Sequence, residues 1–466
     1  MHTKFLCVLL CLIFSASAFA EPPVPVTRDV KLPEGCWVAV LPVKLAATAT
    51  ELIAPRGFRG IAQTGGESTL DEDEGFIAIF EPESSLTAAE FEYVCKHPRL
   101  VGIEFIECDV SKYDLSIVGK DRTLKLLKVW SPHCNDDSKW RKLAGNSINA
   151  ISLTNCEFVD DNLLESWSSI RGLEILSLFQ GWAQVIGARE PRPSGIAAMS
   201  LSSLPRCASL TELSVDSGDL KPDGYANIWR CKLLMKLNLS IARADDSRLK
   251  GIGSLAALRN LTISGTAIKG SVLSELQEHP CLERVELSRN KDLDGSSLSV
   301  LGSIPNLETV NFKSSPGVTG ENLAFLSKCG RLRHLALANC ERLTSAGLKW
   351  LLDLVELRTL VLDDNSQLTP RVLELAGYNA QLQLLSLCGC DWVANKQLED
   401  VIEFFPDLEF LNIVGTKCTG GGFAKLAGLK KVNQLWVDNC YISSDDINKF
   451  KKAVAPREVH VVHVPR

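Results

Sequence analysis

Leu332-Arg333-His334-Leu335-Ala336-Leu337-Ala338-Asn339-Cys340, followed by Glu341-Arg342-Leu343-Thr344-Ser345-Ala346-Gly347-Leu348-Lys349-Trp350-Leu351, is the stretch whose reading decides the fold. Leu332, Leu335 and Leu337 set one apolar ridge inward from a short strand, and the residues between them point away. Cys340 closes the turn with a thiol able to donate to buried backbone carbonyls. Thr344 stands where a helix N-cap is wanted, ahead of Leu348 and Leu351 on the inner face of a short helix. One such unit cannot bury its own apolar face, so it needs copies stacked on both sides.

The copies are present. Strand-opening apolar residues fall at Leu100, Leu124, Ile148, Leu173, Leu210, Leu234, Leu258, Leu282, Leu307, Leu332, Leu357, Leu382, Leu408, Val432 and Val459. The steps between them are 24 to 27 residues, with one outlier of 37 between Leu173 and Leu210. Phe76–Phe80 followed by Leu86–Val94 reads as a degenerate first copy. The spacing predicts an α/β solenoid of parallel strands and short helices over residues 76–466, about 15–16 repeats.

This pattern resembles the cysteine-containing class of leucine-rich repeats, seen in the repeat halves of F-box proteins and related to ribonuclease-inhibitor-like horseshoes. Cys108, Cys156, Cys340, Cys390 and Cys440 occupy the ninth place of their repeats, where Asn290 and Asn365 stand in two others. Cys207, Cys231 and Cys329 fall three residues before the next strand. The resemblance implies a right-handed horseshoe, with a parallel sheet on the concave face and helices on the convex face. It does not extend to a ubiquitin-ligase adaptor, because no F-box precedes the repeats.

The alignment also bears on the cysteines, 16 in all, of which Cys7 and Cys11 lie in an N-terminal apolar run. Equivalent core positions argue for buried free thiols rather than a disulfide framework. Cys207 and Cys231 are the exception, since they stand at equivalent places in adjacent repeats, where strand spacing near ~4.8 Å permits a bridge.

Lys4, the apolar run Phe5–Phe14 and the small residues Ala18 and Ala20 read as a secretory signal peptide cut after Ala20. The apolar run is too short to span a bilayer, and no later segment is long and apolar enough to do so. Removing residues 1–20 takes one lysine and no acid, which moves the net charge from −6 to −7. An acidic balance gives no argument for nucleic acid or an anionic membrane. Residues 21–75 read as a Pro-rich leader and an N-terminal cap, with a small independent domain as the alternative.

Catalytic and cofactor motifs are missing: no Gly-x-Ser-x-Gly, His-Glu-x-x-His, Cys-x-x-Cys or phosphate loop occurs. Gly420-Gly421-Gly422 reads as a shortened turn into a helix. His460 and His463 sit three apart and face opposite sides of a strand. Cys390, next to Cys388, belongs to the buried series. His334, Asp363 and Asp364 have no nucleophile to complete a triad. No enzyme, cofactor or metal site is therefore expected. Asn238-Leu239-Ser240 and Asn260-Leu261-Thr262 match the glycosylation acceptor pattern.

Recognition of a protein is the better-supported expectation, because stacked strands offer a continuous surface whose outward residues are free to vary. The place after the second ridge residue runs from Glu104, Lys128, Ser152 and Ser177 to Ser386, Asn412 and Trp436, mostly small and polar. Two patches stand out. The 37-residue step contains a loop at 181–195 bearing Trp182, Arg189 and Arg192, and Trp130 and Phe179 lie on strands nearby. The second is an arginine column of Arg259, Arg284, Arg333 and Arg358, interleaved with Glu283, Glu286 and Glu308, for which cross-strand ion pairs are the simpler account. A structural array with no dedicated ligand, and a glycan or small-molecule binder using the polar concave lane, are the competing readings.

Overall fold

The computed structural model describes residues 37–42, 59–63 and 74–463, apart from 82–83, 85, 133–136, 181–195, 197–198 and 378–380. The signal peptide, most of the leader and cap, the 181–195 loop, and with it Trp182, Arg189 and Arg192, lie outside the described residues. The chain forms two compact units, Met1–Ile241 and Ala242–Arg466.

In the first unit, strands β3 (Glu74–Phe80), β4 (Leu100–Ile106), β5 (Leu124–Trp130), β6 (Ile148–Thr154), β7 (Ile175–Phe179), β8 (Glu212–Ser217) and β9 (Lys236–Ile241) pair in parallel, each with the next. Two earlier strands, β1 (Trp37–Pro42) and β2 (Arg59–Gln63), enter the sheet antiparallel, β1 pairing with both β2 and β3. The first repeat helix, Ala88–Lys96, starts in a capping box: Thr87 accepts the Glu90 N–H, and the Glu90 carboxylate accepts the Thr87 N–H.

The second unit is a parallel ladder in strict chain order: β10 (Asn260–Ser264), β11 (Arg284–Ser288), β12 (Thr309–Asn311), β13 (His334–Ala336), β14 (Thr359–Val361), β15 (Leu384–Ser386), β16 (Phe410–Asn412), β17 (Gln434–Trp436) and β18 (His460–Val462). Strand, turn, helix and return repeat in both units. The fold is an α/β leucine-rich-repeat solenoid. Pairing of Gln434 with His460 puts Val459 at the second place of its repeat, one residue off the register that the apolar pattern assigns.

Ridge residues at the first, fourth and sixth places are buried from Leu100 to Val437, as Leu332, Leu335 and Leu337 show, and only partly buried in the last repeat. The ninth place carries the ladder that holds repeats to one another. The Cys340 thiol donates to the Phe312 carbonyl at 3.2 Å, Cys390 to Leu362 at 3.3 Å and Cys440 to Ile413 at 2.9 Å. Asn290 does the same to Ile263 at 2.9 Å and Ser315 to Leu287 at 3.1 Å. In the first unit Cys156 reaches the Val129 carbonyl at 3.6 Å. Burial pushes the Cys340 and Cys390 thiols up to about 12, so they stay protonated donors. Every cysteine among the described residues is free, so Cys207 and Cys231 are not bridged.

The eighth place has its own rule. Glu107, Ser131, Asn155, Arg289, Ser314, Asn339, Asp364 and Asn439 all hold positive φ between 42° and 57°, as do Gly265, Gly389 and Gly415 at 64° to 69°. A left-handed residue here turns the chain out of the strand.

The segments that return across the other side are less regular than the apolar spacing suggests. In the second unit a single α-helical turn, Asp246–Leu249, is followed by 3-10 turns from Ile252 to Asp353, and from Arg371 onward the segments are α-helical apart from a 3-10 turn at Leu426–Gly428. Thr344 does sit at an N-cap with extended backbone, but its hydroxyl makes no capping bond. Its neighbour Ser345 instead accepts the N–H of Thr369 in the next repeat at 2.8 Å. At Gly320 the packing is backbone on backbone: a Cβ there would lie 2.6–2.8 Å from Gly347 main-chain atoms.

Candidate functional site

The face of each sheet turned away from the helices carries the third, fifth and seventh places of every repeat. In the first unit this face is more apolar than its expected polar lane. Leu126, Ala150 and Ile175 at the third place are buried and cluster with Ile77, Ile79 and Val101. Phe76-Ile77-Ala78-Ile79-Phe80 reads as a continuous apolar run, and Ile175-Leu176-Ser177-Leu178-Phe179 is broken only by the buried Ser177, the mark of burial on both faces. At the fifth place Ser152 and Ser177 are buried, while Glu104 and Lys128 are partly exposed.

At the seventh place the side chains are half-exposed. The register aligns Ile106, Trp130, Thr154, Phe179, Asp216 and Ser240 in one row. Trp130 and Phe179 are thus two strands apart, roughly 10 Å, with only Thr154 between them. Phe179 ends β7, two residues before the 181–195 segment begins.

The second unit differs. At the fifth place Ser386 and Asn412 are buried, not free to vary, and they form a chain with a seventh-place acid. Asn412 Nδ2 donates to Ser386 Oγ at 2.8 Å, and Ser386 Oγ donates to Asp363 Oδ1 at 2.6 Å. The Cys388 N–H adds a second bond to that oxygen at 2.9 Å. Burial raises the Asp363 carboxyl to about 6, against the pull of those two donors. Beside the chain, Phe410 and Trp436 pack edge to face with centroids 5.5 Å apart, and the Trp436 Nε1 is buried without an acceptor. Sequence reading passed over this group because the pairs lie on different strands. Trp436, the one large residue at the fifth place from Glu104 to Trp436, was the available signal.

The arginine column is corrected by the register. Arg259, Arg333 and Arg358 stand at the second place, one residue before their strands open. Arg284 stands at the third, paired with Thr309, which pairs in turn with His334. Arg259 is engaged by Glu283, and Arg331 reaches Glu308 at 3.6 Å, so cross-strand ion pairs account for part of the patch. Arg284, Arg333 and Arg358 make no ion pair among the described residues. His334 joins Thr359 through Nδ1 and Oγ1 at 3.0 Å, and its pKa is lowered by burial and by Arg284, Arg333 and Arg358, against Glu308.

Among the described residues, no cluster of His, Cys, Asp or Glu could hold a metal, and no helix is long and apolar enough to cross a membrane. His463 Nε2 lies 3.1 Å from the Ile442 carbonyl, just past the end of β18, and Asn238 Nδ2 donates to Ser214 Oγ at 2.9 Å.

No family model matches the chain, and no curated protein matches it. Solved structures do. A complex of TLR13 with the RNA ssRNA13 aligns over 79% of this chain and 54% of its own, at 14% identity and a TM-score of 0.52. An internalin (inlF) of Listeria monocytogenes aligns over 70% of this chain and 89% of its own, at 14% identity and a TM-score of 0.41. A leucine-rich-repeat protein of Leptospira interrogans aligns over 75% and 91%, at 15% identity and a TM-score of 0.40. At such identities the likeness is one of fold.

Proposed function

We propose that this protein is an exported, non-catalytic leucine-rich-repeat protein of the cysteine-containing kind, and that it binds a protein partner through the helix-free face of its first unit. The main contact is Trp130 and Phe179 together with the adjoining 181–195 segment, which brings Trp182, Arg189 and Arg192. The observation that carries this reading is the shared row. Two aromatic side chains, half-exposed and about 10 Å apart, stand beside the one break in the repeat period. Aromatics held on rigid strands are the residues that anchor interfaces, because little conformational freedom is lost when they are covered. Export rests on the N-terminal signal with cutting after Ala20.

The test is capture of a partner from the exporting compartment by three proteins: the full chain, a chain lacking 181–195, and Trp130→Ala with Phe179→Ala. Both altered chains retain the circular dichroism and melting temperature of the parent and capture less partner. Undiminished capture by both would sink the assignment. N-terminal sequencing of the exported chain, expected to begin at Glu21, checks the compartment.

A further inference from the structure

Arg284, Arg333 and Arg358 form a second contact site on the second unit, and we infer that it receives a carboxylate from an extended acidic segment of a partner protein. The inference rests on the reading that this chain binds protein, but on a different unit and different residues from the aromatic row.

Three observations lead there. The first is an imbalance of charge. Of the four arginines at this edge of the sheet, Arg259 is taken by Glu283, while the other three have no carboxylate among the described residues. Of the acids beside them, Glu283 is held by Arg259, Glu286 accepts from the Ser288 hydroxyl, and Glu308 lies 3.6 Å from Arg331. The second is convergence. Arg358 donates its backbone N–H to the Arg333 carbonyl at 2.8 Å, so the two are on neighbouring strands. His334, next to Arg333, pairs with Thr309, which pairs with Arg284, and it bonds Thr359, the residue after Arg358, at 3.0 Å, so the three arginines stand on strands around one imidazole. The third is an orphaned donor: Arg333 Nε is closed off from solvent with no acceptor. A buried N–H without a partner is uncommon and costly, and a guanidinium is built to hold a carboxylate through two parallel bonds.

The surroundings choose among anions. Glu283, Glu286 and Glu308 flank the cluster, and the chain as a whole carries −6, so a long polyanion such as nucleic acid meets repulsion on either side. Beyond His334 and Thr359, the next outward places on the same two strands are Ala336 and Val361, small, apolar and paired side by side. An extended segment lying along β13 and β14 meets cations at the strand start and an apolar floor about 10 Å on, three residues at ~3.3 Å each. A carboxylate with a small apolar side chain about three residues away fits that surface.

The experiment uses the full chain and a fluorescent extended peptide with a Glu three residues from a Val, beside its Gln counterpart and a single-stranded RNA of equal length. The Glu peptide binds, the Gln peptide binds at least about tenfold more weakly, and raising salt from 50 to 500 mM weakens the former more. Arg333→Gln with Arg358→Gln abolishes the preference for Glu, and Arg284→Gln, at an exposed side chain, reduces it. Arg259→Gln, whose charge is already matched, leaves it in place. Melting curves of each variant establish that it is folded. Equal binding of the Glu and Gln peptides, or a preference that survives the double substitution, overturns the site. Tighter, Arg333- and Arg358-dependent binding of the RNA overturns the choice of partner. Deletion of 181–195 leaves the peptide result untouched, so failure of the aromatic contact is read separately.

Discussion

Asn365 accepts the backbone N–H of Cys340 across a repeat boundary at 2.9 Å, and donates in return to the carbonyls of Leu337 and Leu362. One side chain thus serves three buried main-chain groups from two repeats, sharing the Leu362 carbonyl with the Cys390 thiol, whereas the Cys340 thiol supports the carbonyls of Phe312 and Ala338. Asn365→Ala strips the Cys340 N–H and the Leu337 carbonyl of this partner, while the Leu362 carbonyl keeps the Cys390 thiol, and it is expected to cost a few kcal/mol, at about 1–3 kcal/mol for each buried group stripped of its partner. Cys340→Ala should cost less, and Cys340→Ser less again, since a hydroxyl restores the donor. Urea unfolding midpoints rank the three; a Cys340→Ala loss equal to that of Asn365→Ala contradicts the ladder.

Asp363 gives stability a dependence on pH with a definite sign. Its carboxyl is raised from 3.8 to about 6 by burial, so the fold prefers it protonated. Its contribution is whole below pH 3.8 and is lost as pH rises through 6. The two-unit shift corresponds to about 3 kcal/mol at neutral pH. Asp363→Asn keeps an oxygen for the Ser386 hydroxyl and the Cys388 N–H, and never ionises. The variant should melt higher than the parent at pH 7.5, with the gap closing by pH 4. A gap that widens on acidification reverses the assignment.

Gly320 and Gly330 make a matched pair for the packing of successive return segments. A methyl group at Gly320 meets the main chain of Gly347 on three atoms, none of which can swing aside, and it sits beside the Gly320 carbonyl that accepts the Trp350 Nε1 at 2.8 Å. A methyl group at Gly330 meets nothing within 4 Å. Gly320→Ala is expected to lose about 1–3 kcal/mol and Gly330→Ala close to none. Thermal melts of the two variants decide it.

The thiols should be silent until the chain unfolds. Nucleophilic attack needs the thiolate, and burial holds Cys340, Cys390 and Cys418 near 12. Alkylation of native protein without reductant, followed by peptide mass analysis, should leave these three unmodified and find Cys207 and Cys231 as unbridged thiols, held up to about 11 and 12 by burial. In denaturant all of them should react. A Cys207–Cys231 linked peptide contradicts the structure.

Much of this architecture is legible from one dimension. Leucines recurring at three places of a 24–26-residue period leave a single way to bury them, and the ninth-place Asn and Cys announce the ladder because their chemistry is shared. What escaped depends on neighbours in the next strand. Arg284 looks like a member of the Arg259 column, yet it pairs with Asn260, one residue past Arg259, and a one-residue offset changes the direction of a side chain. Ser386 reads as an outward polar residue, yet Asp363 and Asn412 from adjoining strands enclose it. Trp130 and Phe179 were legible as aromatic, and their common row was not, because it rests on the pairing of both with Thr154 of the strand between them. The 3-10 geometry from Ser271 to Asp353 also left no mark that the apolar spacing distinguishes from an α-helix.

The left-handed eighth place has a consequence for how the second unit folds. Where Arg289 and Ser314 occupy it, each local turn is uphill by about 1 kcal/mol until neighbouring repeats lock it, and Asn339, Asp364 and Asn439 carry a smaller penalty. Gly389 and Gly415 hold the same conformation in adjacent repeats without that penalty. Gly265 shares the conformation but stands next to Arg289, so the barrier to initiation is lowest where two such glycines are adjacent, between Gly389 and Gly415. Structure should form first around β15 and β16 and spread outward by addition of single repeats, so destabilising substitutions there slow refolding, while those near Arg289 mainly speed unfolding.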